Sequence, residues 1–169
     1  MTVSVAQLDA MPATQAEELL VACCGARRWV DSMVARRPFR SRAALLAAAD
    51  LELGSLTPAD WREAFSHHPR IGEQAGPISL GARGMRWSAG EQRGVDQAGP
   101  DVRHELSRVN REYQGRFGYV YVVCATGKSA NEMLSNARAR LANDAVSELA
   151  VSAGEQQKIT RLRLEKLLR

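Results

Sequence analysis

The chain has 169 residues, a formal net charge of +4 and a pI near 9.3, with 45% hydrophobic and 25% charged residues. That length predicts a single domain, residues 1–169, which buries one core without disulfide or metal staples. The positive balance suits an anionic partner, but arginine occurs only in short runs such as Arg27-Arg28 and Arg36-Arg37, which favours a small anion and argues against nucleic acid.

The first thirty residues carry no apolar stretch behind a basic start, and no apolar run approaches the ~18 residues that span a bilayer, so no membrane association or secretion is expected. Thr14-x-x-Glu17 has the spacing of a capping box and marks an early helix start. Cys23 and Cys24 follow, with Cys124 far downstream. This odd set, without Cys-x-x-Cys or Cys/His ligand spacing, argues against a disulfide framework and a zinc site, and predicts reduced thiols in the cytoplasm. Thr57-Pro58-Ala59-Asp60 is the next start, with Pro at the first helical position. Behind it Trp61, Phe65 and His68 stand at i, i+4 and i+7 on one face.

His67 and His68 diverge by about 100° on a helix, so they cannot aim at one site, and the stripe selects His68. Pro69 pushes His68 out of helical geometry, so its ring is expected at the helix end, either entering a cleft or meeting the last helical carbonyls. A loop containing Gly72, Gly76, Gly81, Gly84 and Gly90 then leads to Ser88-Ala89-Gly90-Glu91-Gln92, where Ser88-x-x-Glu91 predicts a helix start. Free N–H groups there suit a carboxylate or a urea, although the spacing needs nothing beyond a cap. His68 and Glu91, brought together by the loop, would form a pair suited to proton transfer near neutral pH.

Val102, Leu106, Val109 and Tyr113 form a longer helical stripe. Phe117-Gly118-Tyr119-Val120-Tyr121-Val122-Val123-Cys124 reads by propensity as a buried strand, yet it has no evident pairing partner, and a buried extended connection is the alternative. Gly127-Lys128-Ser129 resembles the tail of a phosphate-binding loop, but Val122 stands where that loop needs Gly, which excludes nucleotide binding by this motif. Ser129-x-x-Glu132 is a further capping box. In the terminal segment Ile159, Leu162, Leu164, Leu167 and Leu168 form an apolar arc with Arg163 near its centre and Arg161 at its rim. A guanidinium on such a face needs a partner, either a protein carboxylate or an anionic ligand. Together these signals predict an all-α domain of about seven or eight helices.

Five motifs, Arg37-Pro38-Phe39, His68-Pro69-Arg70-Ile71-Gly72, Ser88-x-x-Glu91-Gln92, Phe117-Gly118-Tyr119 and Lys158-Ile159-x-x-Leu162-Arg163-Leu164, occur in an order and spacing that span nearly the whole chain. In this the chain resembles the 2-oxo-4-hydroxy-4-carboxy-5-ureidoimidazoline (OHCU) decarboxylases of uric acid breakdown. The resemblance implies an all-helical enzyme, without cofactor or metal, that converts its small anionic substrate to (S)-allantoin and carbon dioxide. It implies His68 as the catalytic proton donor, assisted by Glu91. It further implies substrate-binding roles for Pro69, for Ser88, Ala89, Gly90, Glu91 and Gln92, for Tyr121, Val122, Val123, Cys124 and Ala125, and for Arg163 as anion anchor. Members are often homodimers, for which the apolar terminal helix could supply an interface. Two departures stand out: Val120 replaces a Pro common in animal members, and Lys166-Leu167-Leu168-Arg169 is not a peroxisomal ending, which favours a bacterial cytoplasm. The rival reading is a basic helical module that binds nucleic acid or another protein without catalysis.

Overall fold

A computed structural model describes residues 2–72 and 81–168. Among these the protein is all-α: α1 (Val5–Ala10), α2 (Ala13–Val21), α3 (Arg27–Ala35), α4 (Arg42–Gly54), α5 (Pro58–Ser66), α6 (Gly81–Glu91), α7 (Arg93–Asp96), α8 (Pro100–Phe117), α9 (Ala130–Arg140) and α10 (Ala145–Leu167). Ten helices stand in place of the expected seven or eight. Two of them, α1 and α7, have six and four residues, too short for an apolar stripe to register. Packing divides the chain into two compact units, Met1–Ala64 with Gln157–Arg169, and Phe65–Gln156, whose boundaries fall inside α5 and α10.

In the first unit α3 packs on both α2 and α4. Leu8, Leu20, Trp29, Met33, Leu45, Leu53, Leu164 and Leu167 are fully buried, and the Trp29 indole N–H donates to the Ala49 carbonyl at 3.3 Å. The Arg37-Pro38-Phe39 motif is a local anchor. Arg37 Nη1 donates to the Leu8 and Met11 carbonyls at 2.8 and 2.7 Å, closing the C-terminal end of α1. Asp9 accepts the amides of Phe39 and of Arg40, whose φ is +67°.

The second unit is built on α8 packed against α9, with an aromatic cluster of Phe65, Tyr113, Phe117, Tyr119 and Tyr121 whose neighbouring ring centroids lie 4.7 to 6.3 Å apart. Leu106, Val109 and Tyr113 of the α8 stripe are buried, and Val102 is half-buried. Gly118 ends α8 in the left-handed conformation at φ +79°. Residues 119–125 then run as a connection with no strand pairing, all seven of them buried. The β-branched and aromatic residues there answer to burial, and the backbone polar groups find side chains in place of a neighbouring strand.

Two capping boxes form as expected. Ser129 and Glu132 exchange backbone bonds at the start of α9, and Thr57 and Asp60 do so at the start of α5. Two others do not. The start of α2 is at Ala13 after Pro12, so Thr14 is already helical, and α6 starts at Gly81, which places Ser88 in its third turn. Residues 81–88 continue one helix whose buried face includes Gly84 and Ser88, four apart, so Ser88 never leaves helical geometry to act as a cap.

Candidate functional site

His68 follows the last turn of α5, its amide bonded to the Phe65 carbonyl at 3.1 Å. The Trp61, Phe65, His68 stripe is buried throughout, His68 at 9% exposure, and Pro69 beside it is buried as well. The residues after it are pinned from two directions. Arg70 donates through Nε and Nη2 to Gln114 Oε1 at 2.9 and 2.7 Å, and Asn110 Nδ2 donates to the Ile71 carbonyl at 2.9 Å, both partners on α8. Gly72, at φ +87°, donates its amide to Gln92 Oε1 at 2.9 Å. The turn at Gly72 needs the left-handed conformation that glycine adopts without strain. Glu73 and Gly76 lie outside the described residues.

Ser88, Ala89, Gly90 and Glu91 form the last turn of α6, and Gln92 links it to α7 with its amide on the Ser88 carbonyl at 3.1 Å. They therefore offer a helix end, not the expected set of helix-start amides. Ser88 is buried, Glu91 and Gln92 are half-buried, and Ala89 and Gly90 are exposed.

The buried segment Tyr121 to Ala125 is held by side chains and one turn amide: Arg140 Nη1 donates to the Val122 carbonyl at 2.8 Å, and the Cys124 amide donates to Glu155 Oε2 at 2.8 Å. The Cys124 carbonyl accepts from Lys128 Nζ at 2.7 Å, and the Ala125 carbonyl from the Lys128 amide at 3.0 Å. Tyr121 Oη donates to Asn136 Oδ1 at 2.6 Å. The Cys124 thiol is pushed up by burial first, with the charges of Glu155 and Glu91 adding to the rise and Lys128 opposing it. Glu91 thus lies within electrostatic reach of this segment.

Arg163 belongs to the first unit, 1% exposed, with Nη1 donating to the Ala22 carbonyl at 3.2 Å, while Arg161 at the rim pairs with Asp50 at 3.1 Å. One partner seen for Arg163 is a backbone carbonyl, which takes up one of the guanidinium's donors. Among the described residues no group of three or more His, Cys, Asp or Glu is placed to hold a metal ion, and no helix is long and apolar enough to cross a membrane.

The profile of one family, OHCU decarboxylase, matches residues 9–165. The chain belongs to the OHCU decarboxylase family. Its similarity to curated proteins agrees with that membership. It is 35% identical over 146 residues to the uric acid degradation bifunctional protein TTL of Arabidopsis thaliana, covering 86% of this chain and 45% of the plant protein. It is 29% identical over 135 residues to the 2-oxo-4-hydroxy-4-carboxy-5-ureidoimidazoline decarboxylase of Amia calva, covering 78% of this chain and 75% of that one. The chain therefore spans less than half of the plant protein. In three dimensions it matches a crystal structure of OHCU decarboxylase in the presence of (S)-allantoin, with a TM-score of 0.75 and 31% identity, over 89% of this chain and 97% of that one.

Sequence reasoning missed the residues that hold this family member's candidate groups in place. His68 Nε2 lies 2.6 Å from Gln156 Oε1, and Glu155, Lys128 and Arg140 fix the segment 121–125. One signal was present. Glu148, Ser152, Gln156 and Thr160 recur every four residues on α10, and all are 0% exposed, so the helix buries a polar stripe beside its apolar arc.

Proposed function

We propose that this chain decarboxylates OHCU to (S)-allantoin and carbon dioxide, with His68 as the proton donor. Membership of the OHCU decarboxylase family carries the activity; the geometry that supports the role of His68 is its buried ring beside Gln156 at 2.6 Å. The carboxylate of this substrate sits next to a C=N bond. When the bond to carbon dioxide breaks, its electron pair forms a carbon–carbon double bond while the imine pair moves to nitrogen, which takes up a proton. The resulting enol returns to the keto form as a proton reaches the ureido-bearing carbon. Delivering that proton from one fixed side makes a single enantiomer, and a positioned imidazole suits the task near neutral pH. The substrate supplies its own electron sink, so the reaction as drawn routes no step through a cofactor.

In this reading Glu91 and Gln92 bind the ring and ureido nitrogens, Ser88 binds a ureido or ring carbonyl, Pro69 contacts the substrate, backbone groups of residues 121–125 hold the flat heterocycle, and Arg163 anchors the anion. The match of residues 9–165 supports taking 1–169 as one functional domain. Three free, buried cysteines suit the reducing cytoplasm. A homodimer is part of the same reading, and light scattering on the purified protein tests it. The activity itself is tested by adding freshly made OHCU and following circular dichroism, which reads handedness as well as rate. His68→Asn is expected to lower the enzymatic rate by about 10²- to 10⁴-fold. Turnover to (S)-allantoin at the parent rate would remove His68 from the role, and no turnover by the parent would favour the binding-module reading.

A further inference from the structure

Gln156 is completely buried, and a primary amide in that position must be hydrogen-bonded to be tolerated. Its Oε1 faces His68 Nε2 at 2.6 Å. A carbonyl oxygen only accepts, so the ring nitrogen facing it must carry the hydrogen. We propose that Gln156 is the positioning residue of His68, fixing the neutral imidazole as its Nε2–H tautomer and leaving proton exchange to Nδ1. This rests on the reading that His68 delivers the proton in decarboxylation.

The pairing has three consequences for such a donor. The same Nε2–H···O bond persists in the imidazolium and in the neutral ring, so the ring keeps its orientation when Nδ1 gives up its proton. The partner is neutral, so it orients the ring without adding a charge that would hold the proton back. The partner also sits on a helix that sets other parts of the candidate site. One residue before Gln156, Glu155 accepts the Cys124 amide at 2.8 Å. One turn before it, Ser152 accepts from Arg140 Nη2 at 2.8 Å, while Arg140 Nη1 holds the Val122 carbonyl. Residues 148–156 of α10 therefore position both the imidazole and the segment 121–125. A rigid helix fixes the spacing of the two better than a loop would.

Long-range ¹H–¹⁵N correlation spectra of the full chain labelled at its three histidines test this directly, with the His68 signals assigned by their loss in His68→Asn. The parent is expected to show neutral His68 protonated at Nε2, and a parent ring protonated at Nδ1 overturns the proposal whatever the variants do. Gln156→Leu, of similar size but without an acceptor, is expected to show a tautomer mixture and a kcat lower by about tenfold to a hundredfold, with KM nearly unchanged. Gln156→Glu keeps an acceptor at Nε2 and is expected to keep the tautomer, while its added charge holds the His68 proton more tightly, lowering kcat and moving its pH profile to higher pH. A folded Gln156→Leu with the parent tautomer and the parent kcat overturns the proposal. A shifted tautomer with unchanged turnover supports the positioning by Gln156 and instead removes His68 as proton donor, so the two readings fail separately.

Discussion

Arg140 and Glu148 form a buried ion pair, Nη2 to Oε1 at 2.5 Å, and from the same guanidinium Arg140 Nη1 holds the Val122 carbonyl at 2.8 Å. The pair is well satisfied. Tyr113 Oη donates to Glu148 Oε1, Asn143 Nδ2 donates to Glu148 Oε2 at 2.7 Å, and the guanidinium lies 4.8 Å from the Tyr121 ring centroid. Burial and the neighbouring carboxylate together push the Tyr113 hydroxyl well above the usual phenol range, so it stays a donor. An ion pair of this kind adds little net stability compared with apolar residues of the same shape, but it places one backbone carbonyl within a buried turn of chain.

The first prediction follows from that asymmetry. Glu148→Leu leaves a buried guanidinium uncompensated and is expected to destabilise the protein by about 3–5 kcal/mol, measured by urea denaturation. Adding Arg140→Met to it is expected to recover part of the loss, giving a clearly non-additive double-mutant cycle. Additive costs would show that the two side chains do not depend on each other.

A second prediction concerns Gly94 in α7. A Cβ built there would lie 2.3 Å from the Lys128 carbonyl oxygen, a backbone atom that cannot swing aside. Gly94→Ala is therefore expected to cost about 1–3 kcal/mol and lower the melting temperature. Gly90→Ala, whose Cβ meets nothing within 4 Å, is the control and is expected to be neutral or slightly stabilising. Equal melting temperatures for the parent and Gly94→Ala would refute the close approach.

The third prediction isolates the anchor at Cys124. Glu155→Leu leaves the Cys124 amide without its carboxylate acceptor, and Glu155→Gln keeps an acceptor in place. If the segment 121–125 binds substrate, the leucine variant is expected to raise KM by about threefold to tenfold and the glutamine variant to stay near the parent. Steady-state kinetics on fresh substrate decide it. Unchanged KM in a folded leucine variant would take substrate binding away from the part of the segment that Glu155 holds.

These examples show which features the sequence could reveal. The boxes at Thr57 and Ser129 bond residues three apart, and the Trp61, Phe65, His68 stripe is a local period, so both were legible. Ser88-x-x-Glu91 has the same spacing but lies inside α6, because a cap forms only where the preceding chain leaves helical geometry, and that is decided by the buried face of residues 81–88. The bond between His68 and Gln156 joins residues 88 positions apart, and no local rule reports such a pairing. The polar stripe on α10 shows at period four, yet its meaning depends on knowing that this face is inward. Of the strand-like segment Phe117 to Cys124, residues 119–124 are buried as read, whereas Phe117 ends α8 half-buried and Gly118 is its exposed cap, and the absence of strand pairing depended on distant side chains that take over the backbone bonds.

The last prediction is a pH dependence that originates in the first unit. Cys24 is 1% exposed, and burial pushes its thiol from 9.0 up to about 11, against the opposing hydrogen bonds of Ala26 and Thr160 and the charge of Arg163. A raised thiol value means that the folded state holds its proton more tightly than the unfolded chain. The stabilisation is therefore complete below pH 9, declines as the unfolded thiol ionises, and is gone above pH 11, a span on the order of 3 kcal/mol. Urea midpoints are expected to fall between pH 9 and 11 in the parent. Cys124, raised by burial from the same starting value, and Tyr113, Tyr119 and Tyr121, also held above their usual range by burial, change stability within the same interval, so the parent curve alone is not diagnostic. Cys24→Ala removes one component and leaves the tyrosines in place. Its stability, lower at pH 8 because of the lost side-chain volume, is expected to fall less steeply towards pH 11, and parallel curves for the two proteins would contradict the assignment to Cys24.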